Sequence, residues 1–247
     1  MVITSRILQD RLGIDSEIAD YFANNRPIPA NNLFWGTKRI YISAGFGFLT
    51  IPLSFDLMFK LGISKKLLLN DEHVRIMEQG FDKLKRYENK EYSLKQFILA
   101  CEELLNEKIK QQHLASDLFS VFNGQIPRYF QFEQTNKSLA RSDSFLFTLV
   151  DLDITDEWVE KFLPYWYSLA RPILLLDDFK DLEEDRRDGD ENTIIEMGNN
   201  KEAILKAYEM GVNDLASLAE INPKLSKFMQ PFLKEALEYD HIAKELA

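Results

Sequence analysis

Between residues 171 and 195 the sequence concentrates carboxylates, reading RPILLLDDFKDLEEDRRDGDENTII. In a helix, at about 100° per residue, five of these acids share one face: Asp177, Asp181, Glu184, Asp185 and Asp188. Like charges four residues apart oppose a helix by roughly 0.2–0.5 kcal/mol per pair, so this row indicates a bound cation. Carboxylate oxygens are hard ligands of the kind that Mg²⁺ prefers, and bound Mg²⁺ commonly bridges them to substrate phosphates.

Two interpretations of this acidic segment are open. In one, it is a solvated helix end that runs into a polar turn at residues 188–192. In the other, the helix emerges beside a cavity, because the acids follow directly on the apolar run 173–176. Arg186 and Arg187 pair with carboxylates in the first case and contact a metal-bound diphosphate in the second. Pro172 is expected to kink the helix or remove one of its hydrogen bonds.

The formal net charge of the chain is -10, and most of it lies in this segment. From Asp177 to Glu191 there are nine acidic and three basic residues, a local charge of -6. A broad nucleic-acid surface needs clustered Lys and Arg, so no nucleic-acid partner is expected. The local charge favours cations and, through them, a diphosphate.

The elements that position these acids are predicted to be helices. Ser93 and Gln96 form a capping box ahead of an amphipathic helix, and Thr155 precedes a helix that runs toward the 170s. Asn199 predicts another helix start, and Asn222, which a proline follows, predicts the last one. With 247 residues and no linker, we expect one all-α domain over residues 1–247. At ordinary helix lengths it holds roughly eight to ten helices.

One apolar stretch is a candidate for a membrane span. Residues 40–55 (IYISAGFGFLTIPLSF) carry no charge, but they are shorter than the about 18 apolar residues of a spanning helix and contain Pro52. We therefore expect a buried core segment and no stable membrane insertion. The N-terminus lacks the apolar region of a secretory signal, and the lone Cys101 forms no internal disulfide, so the cytoplasm is the expected location.

Several common sites are absent from the sequence. Gly45 and Gly47 are not followed by the third glycine of a dinucleotide fingerprint, and no Walker-type Gly-Lys-Ser/Thr occurs. His73, His113 and His241 lie far apart, without the HExxH spacing of a zinc site. We expect each histidine to be a surface or packing residue.

Residues Ser142 to Asp181 resemble the class I isoprenoid synthases, the polyprenyl diphosphate synthases and terpene cyclases that share one all-α fold. Over these 40 residues an apolar helix (SFLFTLVDL), an acidic turn (ITDEW) and a second apolar helix (RPILLL) lead into DDFKD, which is similar to the second DDxxD motif. The resemblance implies a helical bundle around a central apolar cavity. It also implies metal ligation and catalytic roles for Asp177, Asp178 and Asp181.

The residues after DDFKD carry a further resemblance, to the terpene cyclases. Asp185 continues the i, i+4, i+8 spacing of their second metal motif, which implies a fourth metal-ligating aspartate here. The string Gly189-Asp190-Glu191-Asn192 is similar to the turn that follows that motif.

Two acids in the first half of the chain are similar to part of the family's first aspartate motif. In the string LLLNDE, Asp71 and Glu72 occupy acidic positions, which implies metal ligation, while Arg75 stands at the third acidic position. Asp56 and Asp82 are rival placements of the same motif.

A basic string before these acids is similar to the family's diphosphate-binding motif. In Gly36-Thr37-Lys38-Arg39 the resemblance implies diphosphate contact by Lys38 and Arg39, while Tyr41 replaces the last arginine. The Lys-Thr pair of prenyl synthases is Ser142-Asp143 here, which removes a cation from the second diphosphate position. A reaction of one allylic diphosphate needs only one such position, so terpene cyclisation fits better than chain elongation.

The resemblance implies a Mg²⁺-dependent enzyme that ionises an allylic prenyl diphosphate, by terpene cyclisation or prenyl transfer, and that forms a homodimer. Metal ions neutralise charge on the leaving diphosphate, and a dry apolar pocket protects the carbocation. Candidate pocket aromatics, which are equally candidates for core packing, are Phe46, Phe48, Phe145, Phe147 and Trp166. Candidate diphosphate ligands besides Lys38 and Arg39 are Arg141, Arg186 and Arg187.

Two other functions remain open. One is a catalytically silent homologue that binds isoprenoid or a partner subunit through the retained fold. The other is a helical Mg²⁺-dependent nucleotide pyrophosphatase, suggested by Glu102, Glu103 and Glu107. Their spacing is one residue too long for the EExxE pattern of those enzymes, which favours a helix surface.

Overall fold

The structure, a computed structural model, describes residues 3–43, 45–133 and 137–247, and it leaves the side chains of Phe46 and Arg141 undescribed. These residues form helices and no β-strand, so the all-α class predicted from the sequence is confirmed. None of the helices described is long and apolar enough to cross a membrane.

Thirteen α-helices occur in the described residues. They are α1 (Ser5–Asp10), α2 (Ser16–Asp20), α3 (Phe46–Lys60), α4 (Lys65–Leu68), α5 (Asp71–Glu88), α6 (Leu94–Leu105), α7 (Gln112–Phe122), α8 (Lys137–Ala140), α9 (Asp156–Asp188), α10 (Thr193–Glu196), α11 (Lys201–Leu218), α12 (Pro223–Ala236) and α13 (Asp240–Leu246). A π-helical turn spans Tyr21–Asn25, and a 3₁₀-helix spans Arg141–Leu149. Eight of these α-helices have seven residues or more, and the short ones account for the excess over the eight to ten expected.

The first of two compact units comprises Met1–Arg6, Asp15–Phe132 and Asp143–Leu163. Its core includes α3, in which Ile51, Phe55 and Met58 are fully buried. The predicted core segment is therefore confirmed over residues 51–55, all of which are buried, whereas Ile40 at the start of the stretch is 42% exposed and Gly45 and Gly47 are exposed. Helices α5 and α6 pack against each other within this unit.

The second compact unit comprises Ile7–Ile14, Glu133–Ser142 and Pro164–Ala247. Helices α11 and α12 pack closely because Gly211 has no side chain. A Cβ at Gly211 would lie 2.9 Å from Leu233 Cδ2 and 3.5 Å from Leu175 Cδ1. The small residue thus lets leucines of α9 and α12 reach the backbone of α11.

Most helix starts lie where the sequence predicts them. Ser93 and Gln96 form both bonds of the capping box of α6, Thr155 Oγ1 accepts from the backbone N of Trp158 at 3.3 Å, and Asn222 caps α12. The predicted cap of α11 is wrong by one residue. Asn200, not Asn199, accepts from the first turn, because Asn199 adopts a left-handed conformation with φ of 54°.

Helix α9 has 33 residues and extends beyond the predicted 170s to Asp188. It runs continuously through Pro164 and Pro172. A proline has no N–H, so Pro172 leaves the carbonyl of Ser168 without its helical donor, while Ser168 Oγ itself donates to the Pro164 carbonyl at 2.9 Å. The apolar run and the acids that follow it therefore belong to one helix.

Candidate functional site

The end of α9 carries a row of acids in the second compact unit. Asp177, Asp181 and Asp185 are four residues apart, so they lie on one face of the helix at steps of about 6 Å. Asp177 is exposed and Asp185 half-buried, while the side chain of Asp181 is 33% exposed. The residues just before them, Leu175 and Leu176, are buried. The helix stays buried on its other face, at Phe179 and Leu182, so the row lies along its outer face.

A lysine of the same helix already contacts this row. Lys180 Nζ donates to Asp181 Oδ1 at 2.8 Å. That hydrogen bond raises the pKa of Lys180 against the opposing effect of burial, and the charges of Asp177 and Glu184 act in the same direction. A divalent cation at Asp181 therefore competes with the ammonium group of Lys180.

Asp178, the second acid of the DDFKD string, has a different environment. It is 2% exposed, and its Oδ2 accepts a hydrogen bond from the backbone N of Thr193 at 3.0 Å. Its carbonyl accepts from Asn192 Nδ2 at 2.8 Å, and the same nitrogen donates to Asp185 Oδ2 at 2.8 Å. These bonds join the last turns of α9 to the start of α10.

The Gly-Asp-Glu-Asn string forms the turn between α9 and α10. Gly189 has a φ of 74°, a left-handed conformation that glycine adopts without strain. Its N donates to the carbonyl of Asp185 at 2.8 Å, as does the N of Asp190 at 3.0 Å. Asn192 Oδ1 then accepts from the backbone N of Ile194 at 2.9 Å and caps α10.

The two arginines that follow the acids already have acidic partners. Arg186 Nη1 lies 2.8 Å from Glu245 Oε1, and its side chain is 24% exposed. Arg187 is 69% exposed and lies 2.8 Å from Asp188 Oδ1. A diphosphate at this end of α9 competes with these carboxylates for the guanidinium groups.

Asp71 and Glu72 belong to the first compact unit, in the first turn of α5. Arg26 Nη1 lies 2.6 Å from Asp71 Oδ1, and this hydrogen bond lowers the pKa of that carboxyl. Glu72 lies 3.3 Å from Lys108 Nζ and is 64% exposed. The positive end of the helix macrodipole also stabilises carboxylates here, so a metal is not needed to account for their position.

Asp56 and Asp82, the alternative placements of the first aspartate motif, make structural contacts as well. Buried Asp56 contacts Lys60 Nζ at 2.5 Å and accepts from the backbone N of Asp15 at 2.7 Å. Asp82 accepts from the backbone N of Leu33 at 2.7 Å. Each acid has a structural partner in the first unit.

The predicted cationic and aromatic residues are only partly described. Lys38 and Arg39 are exposed in the first unit, with Lys38 Nζ 5.6 Å from the centroid of the Phe48 ring. The side chains of Arg141 and Phe46 lie outside the described part of the chain.

The other predicted pocket aromatics pack within their own units. Ring centroids are 4.7 Å apart for Phe34 and Phe48, 6.1 Å for Phe81 and Phe145, and 5.1 Å for Phe119 and Phe147. Trp166 is 1% exposed in the second unit. All four rings are at least partly buried, which suits a core and an apolar pocket wall alike.

A buried histidine–carboxylate contact was not predicted from the sequence. His73 Nδ1 lies 2.9 Å from Asp151 Oδ1, and both residues are buried. His73 Nε2 has no hydrogen-bond partner among the residues described, and its ring lies 5.6 Å from that of Phe55. The only signal in the sequence is that Asp151 directly follows an apolar run.

The donor set on α9 fits Mg²⁺ chemically, but the described residues do not enclose an ion by themselves. Within the described ranges, no three acidic, histidine or cysteine side chains converge as a metal cage. Asp177 and Asp185 are two turns apart, about 12 Å along the helix axis, so the three acids of the row cannot all surround one ion, although neighbours one turn apart can share one. Mg²⁺ keeps several waters and is often held by one or two carboxylates plus substrate phosphates, which suits Asp177, Asp181 and Asp185.

Comparison with known proteins adds no assignment: no family model, curated protein or solved structure matches this chain.

Proposed function

We propose that the protein is a Mg²⁺-dependent enzyme of the class I isoprenoid synthase type, which ionises an allylic prenyl diphosphate and releases diphosphate. The observation that carries this proposal is the row of Asp177, Asp181 and Asp185, which follows the largely buried apolar run 173–176 in the same unbroken helix. Carboxylates with this spacing repel one another, and a bound cation relieves that repulsion.

The residues of the second unit would divide the work as follows. Neighbouring pairs within the row of Asp177, Asp181 and Asp185 would hold Mg²⁺, which when bound neutralises charge on a leaving diphosphate. Arg186 and Arg187, in the next turn of α9, would contact the phosphate oxygens in place of Glu245 and Asp188. Apolar side chains of the core would keep water from the reacting carbon.

A catalytically silent homologue is the second candidate. It is favoured by the ion pairs of Asp71 and Glu72, which leave the first motif engaged with Arg26 and Lys108. The pyrophosphatase has less support, since Glu102, Glu103 and Glu107 are all exposed. A homodimer, as the family resemblance implies, is part of the proposal and is checked by light scattering of the purified chain. A cytoplasmic location, expected from the sequence, is also part of the proposal.

The decisive experiment is incubation with geranyl, farnesyl and geranylgeranyl diphosphates, with and without Mg²⁺ and isopentenyl diphosphate. We expect Mg²⁺-dependent diphosphate release from at least one allylic substrate, with loss of about 100-fold or more in Asp177→Asn/Asp181→Asn, because electrostatic stabilisation of a leaving group is commonly worth that much. Products distinguish cyclisation from prenyl transfer.

The matched control is Glu160→Gln/Glu183→Gln, which removes two exposed charges from the same helix outside the row. It should keep wild-type activity. If wild type and the aspartate variant release diphosphate at the same rate, the enzyme proposal is wrong.

A further inference from the structure

Between Trp35 and Tyr41 the chain forms a closed loop on the first compact unit. Both ends of the loop are fixed in the core, because Trp35 and Tyr41 are buried and Trp35 Nε1 donates to the Tyr41 carbonyl at 2.9 Å. Just before the loop, Asn32 Nδ2 donates to the carbonyl of Glu78 at 2.7 Å. The residues between the two ends, 36–40, are all exposed. The 36–40 loop is therefore an ordered projection on an anchored base.

Two cations of the 36–40 loop are exposed without acidic partners. Lys38 and Arg39 are both exposed, and neither forms an ion pair among the residues described. Lys38 Nζ lies 5.6 Å from the centroid of the Phe48 ring. Residues 21–55 contain no acid, although 40 of the 247 residues of the chain are acidic. The 36–40 loop is thus locally positive on a protein of net charge -10.

Aliphatic side chains are exposed beside these cations. Ile40 is 42% exposed at the end of the loop, and Leu33, two residues before Trp35, is 37% exposed. The rings of Phe34 and Phe48 are half-buried, with their centroids 4.7 Å apart. An exposed aliphatic group next to unpaired cations suits a lipid–water interface, where apolar side chains enter the acyl boundary and cations contact phosphate.

We propose that the 36–40 loop docks the protein reversibly on the surface of an anionic lipid bilayer. Ile40 enters the boundary between headgroups and acyl chains, and Lys38 and Arg39 contact lipid phosphates. The contact is peripheral and involves neither the acidic row of α9 nor the reaction of the proposed function. Salt weakens the electrostatic part of the attraction, because the Debye length is about 8 Å at physiological ionic strength.

The apolar residues distinguish a bilayer from a soluble anion. The family resemblance implies that Lys38 and Arg39 contact a diphosphate. A free diphosphate gains nothing from Ile40, and two exposed cations hold a hydrated anion weakly in water. A bilayer surface uses the cations and the aliphatic side chain together, which is why the charge and the exposure of the loop favour lipid.

Sedimentation with vesicles tests the cations. Wild type should bind vesicles of equimolar phosphatidylcholine and phosphatidylserine more tightly than vesicles of phosphatidylcholine alone, and high salt should remove this preference. Lys38→Gln/Arg39→Gln should bind the anionic vesicles about 25-fold more weakly, since each cation near such a surface contributes a factor of about five. The matched control, Lys206→Gln/Lys227→Gln, removes two exposed lysines from α11 and α12 and should bind as wild type does.

A dye at the end of the loop tests insertion independently of the charge variants. Cys101 is buried, so a cysteine introduced at an exposed position reacts selectively with a thiol-reactive dye. Ile40→Cys that carries an environment-sensitive dye such as NBD should fluoresce more strongly when anionic vesicles are added. Leu205→Cys with the same dye is the control, because Leu205 is 46% exposed on α11. Its emission should not change.

Several results would overturn the inference. Wild type that binds neither kind of vesicle, or both equally, contradicts it, and an equal loss in the two double variants would assign binding to net charge. A dye that responds at position 205 and not at position 40 would place the contact outside the loop.

Calorimetric titration with sodium pyrophosphate separates lipid from a soluble anion. Pyrophosphate binding that requires Lys38 and Arg39, in a chain that does not bind vesicles, would assign the loop to a free diphosphate and contradict lipid docking. None of these measurements depends on release of diphosphate from a prenyl substrate. The failure of lipid docking and the failure of the proposed function are therefore distinguishable.

Discussion

At the scale of single residues, a buried ion pair holds α9 against α11 in the second unit. Arg171 Nη2 lies 2.6 Å from Asp214 Oδ1, and Arg171 Nε donates to Asp214 Oδ2 at 2.9 Å. Burial raises the pKa of Asp214, and Arg171 opposes that shift. The charge of Asp214 is thus tolerated largely because Arg171 is present.

Replacing Arg171 with Met should therefore lower the free energy of unfolding at neutral pH by about 3–5 kcal/mol, because it leaves a buried carboxylate without its partner. This loss of stability relative to wild type should become smaller as the pH falls. Arg171 lowers the pKa of Asp214 in wild type, so without it the folded-state pKa rises further above the unfolded value of 3.8. The folded variant therefore binds this proton over a wider pH range than folded wild type, and acidification stabilises it more. Urea unfolding of both proteins between about pH 4 and pH 7 measures this.

The matched control replaces both partners. Arg171→Met/Asp214→Leu removes the charge together with its partner, so it should recover most of the stability lost in Arg171→Met and lose the pH dependence. A double variant as unstable as the single one would show that packing of the Arg171 side chain, and not its charge, holds α9 against α11.

At the scale of helices, the sequence predicts where a helix starts better than where it ends or which of its side chains are buried. Local hydrogen bonds decide a cap, so Ser93 and Asn222 are predicted correctly from a few neighbouring residues. The shift from Asn199 to Asn200 depends on the left-handed turn at residue 199, and either asparagine can cap.

The candidate site was predicted in part for the same reason. The acidic row follows from helical periodicity, which is local. That Asp178 is buried while Asp177 is exposed depends on Asn192 and Thr193 after the turn, and no pattern within DDFKD shows it. Likewise, the partners of Asp71 and Asp82 come from residues 26 and 33, about 45 to 49 positions earlier in the chain.

Two glycines inside helices provide a test of packing at this scale. Gly80 in α5 has open space where a Cβ would stand, whereas at Gly211 in α11 the Cβ would lie 2.9 Å from Leu233 Cδ2. Gly80→Ala should raise the free energy of unfolding by up to about 1 kcal/mol through helix propensity. Gly211→Ala should lower it by about 1–2 kcal/mol, because displacing buried Leu233 outweighs the same gain.

Chemical denaturation of the two variants beside wild type measures both changes in the free energy of unfolding. The identical substitution in each helix makes Gly80→Ala the control for Gly211→Ala. If both substitutions raise the free energy of unfolding equally, Leu233 moves aside at no cost, and the close approach of α12 to Gly211 does not limit side-chain size there.

At the scale of the whole molecule, charge is distributed unevenly. Residues 177–191 carry -6 of the net -10, so these 15 residues have a larger net negative charge than the other 232 together. Concentrated like charge lowers the stability of the folded chain, and a cation that binds only the folded form restores it. The stability of the whole chain should therefore depend on Mg²⁺ even without a substrate.

Wild type should gain about 2.7 kcal/mol of unfolding free energy at a Mg²⁺ concentration 100 times its dissociation constant, compared with EDTA at equal ionic strength. Asp177→Asn/Asp181→Asn should respond differently. It loses two i, i+4 repulsions, Asp177–Asp181 and Asp181–Asp185, and one exposed contact with Lys180, each worth roughly 0.2–0.5 kcal/mol, so in EDTA it should match wild type within about 1 kcal/mol. It should gain little from Mg²⁺, while Glu160→Gln/Glu183→Gln should gain as wild type does. Equal gains in all three chains would assign the effect to general screening of the -10 charge, and the acidic row would then have no specific affinity for the ion.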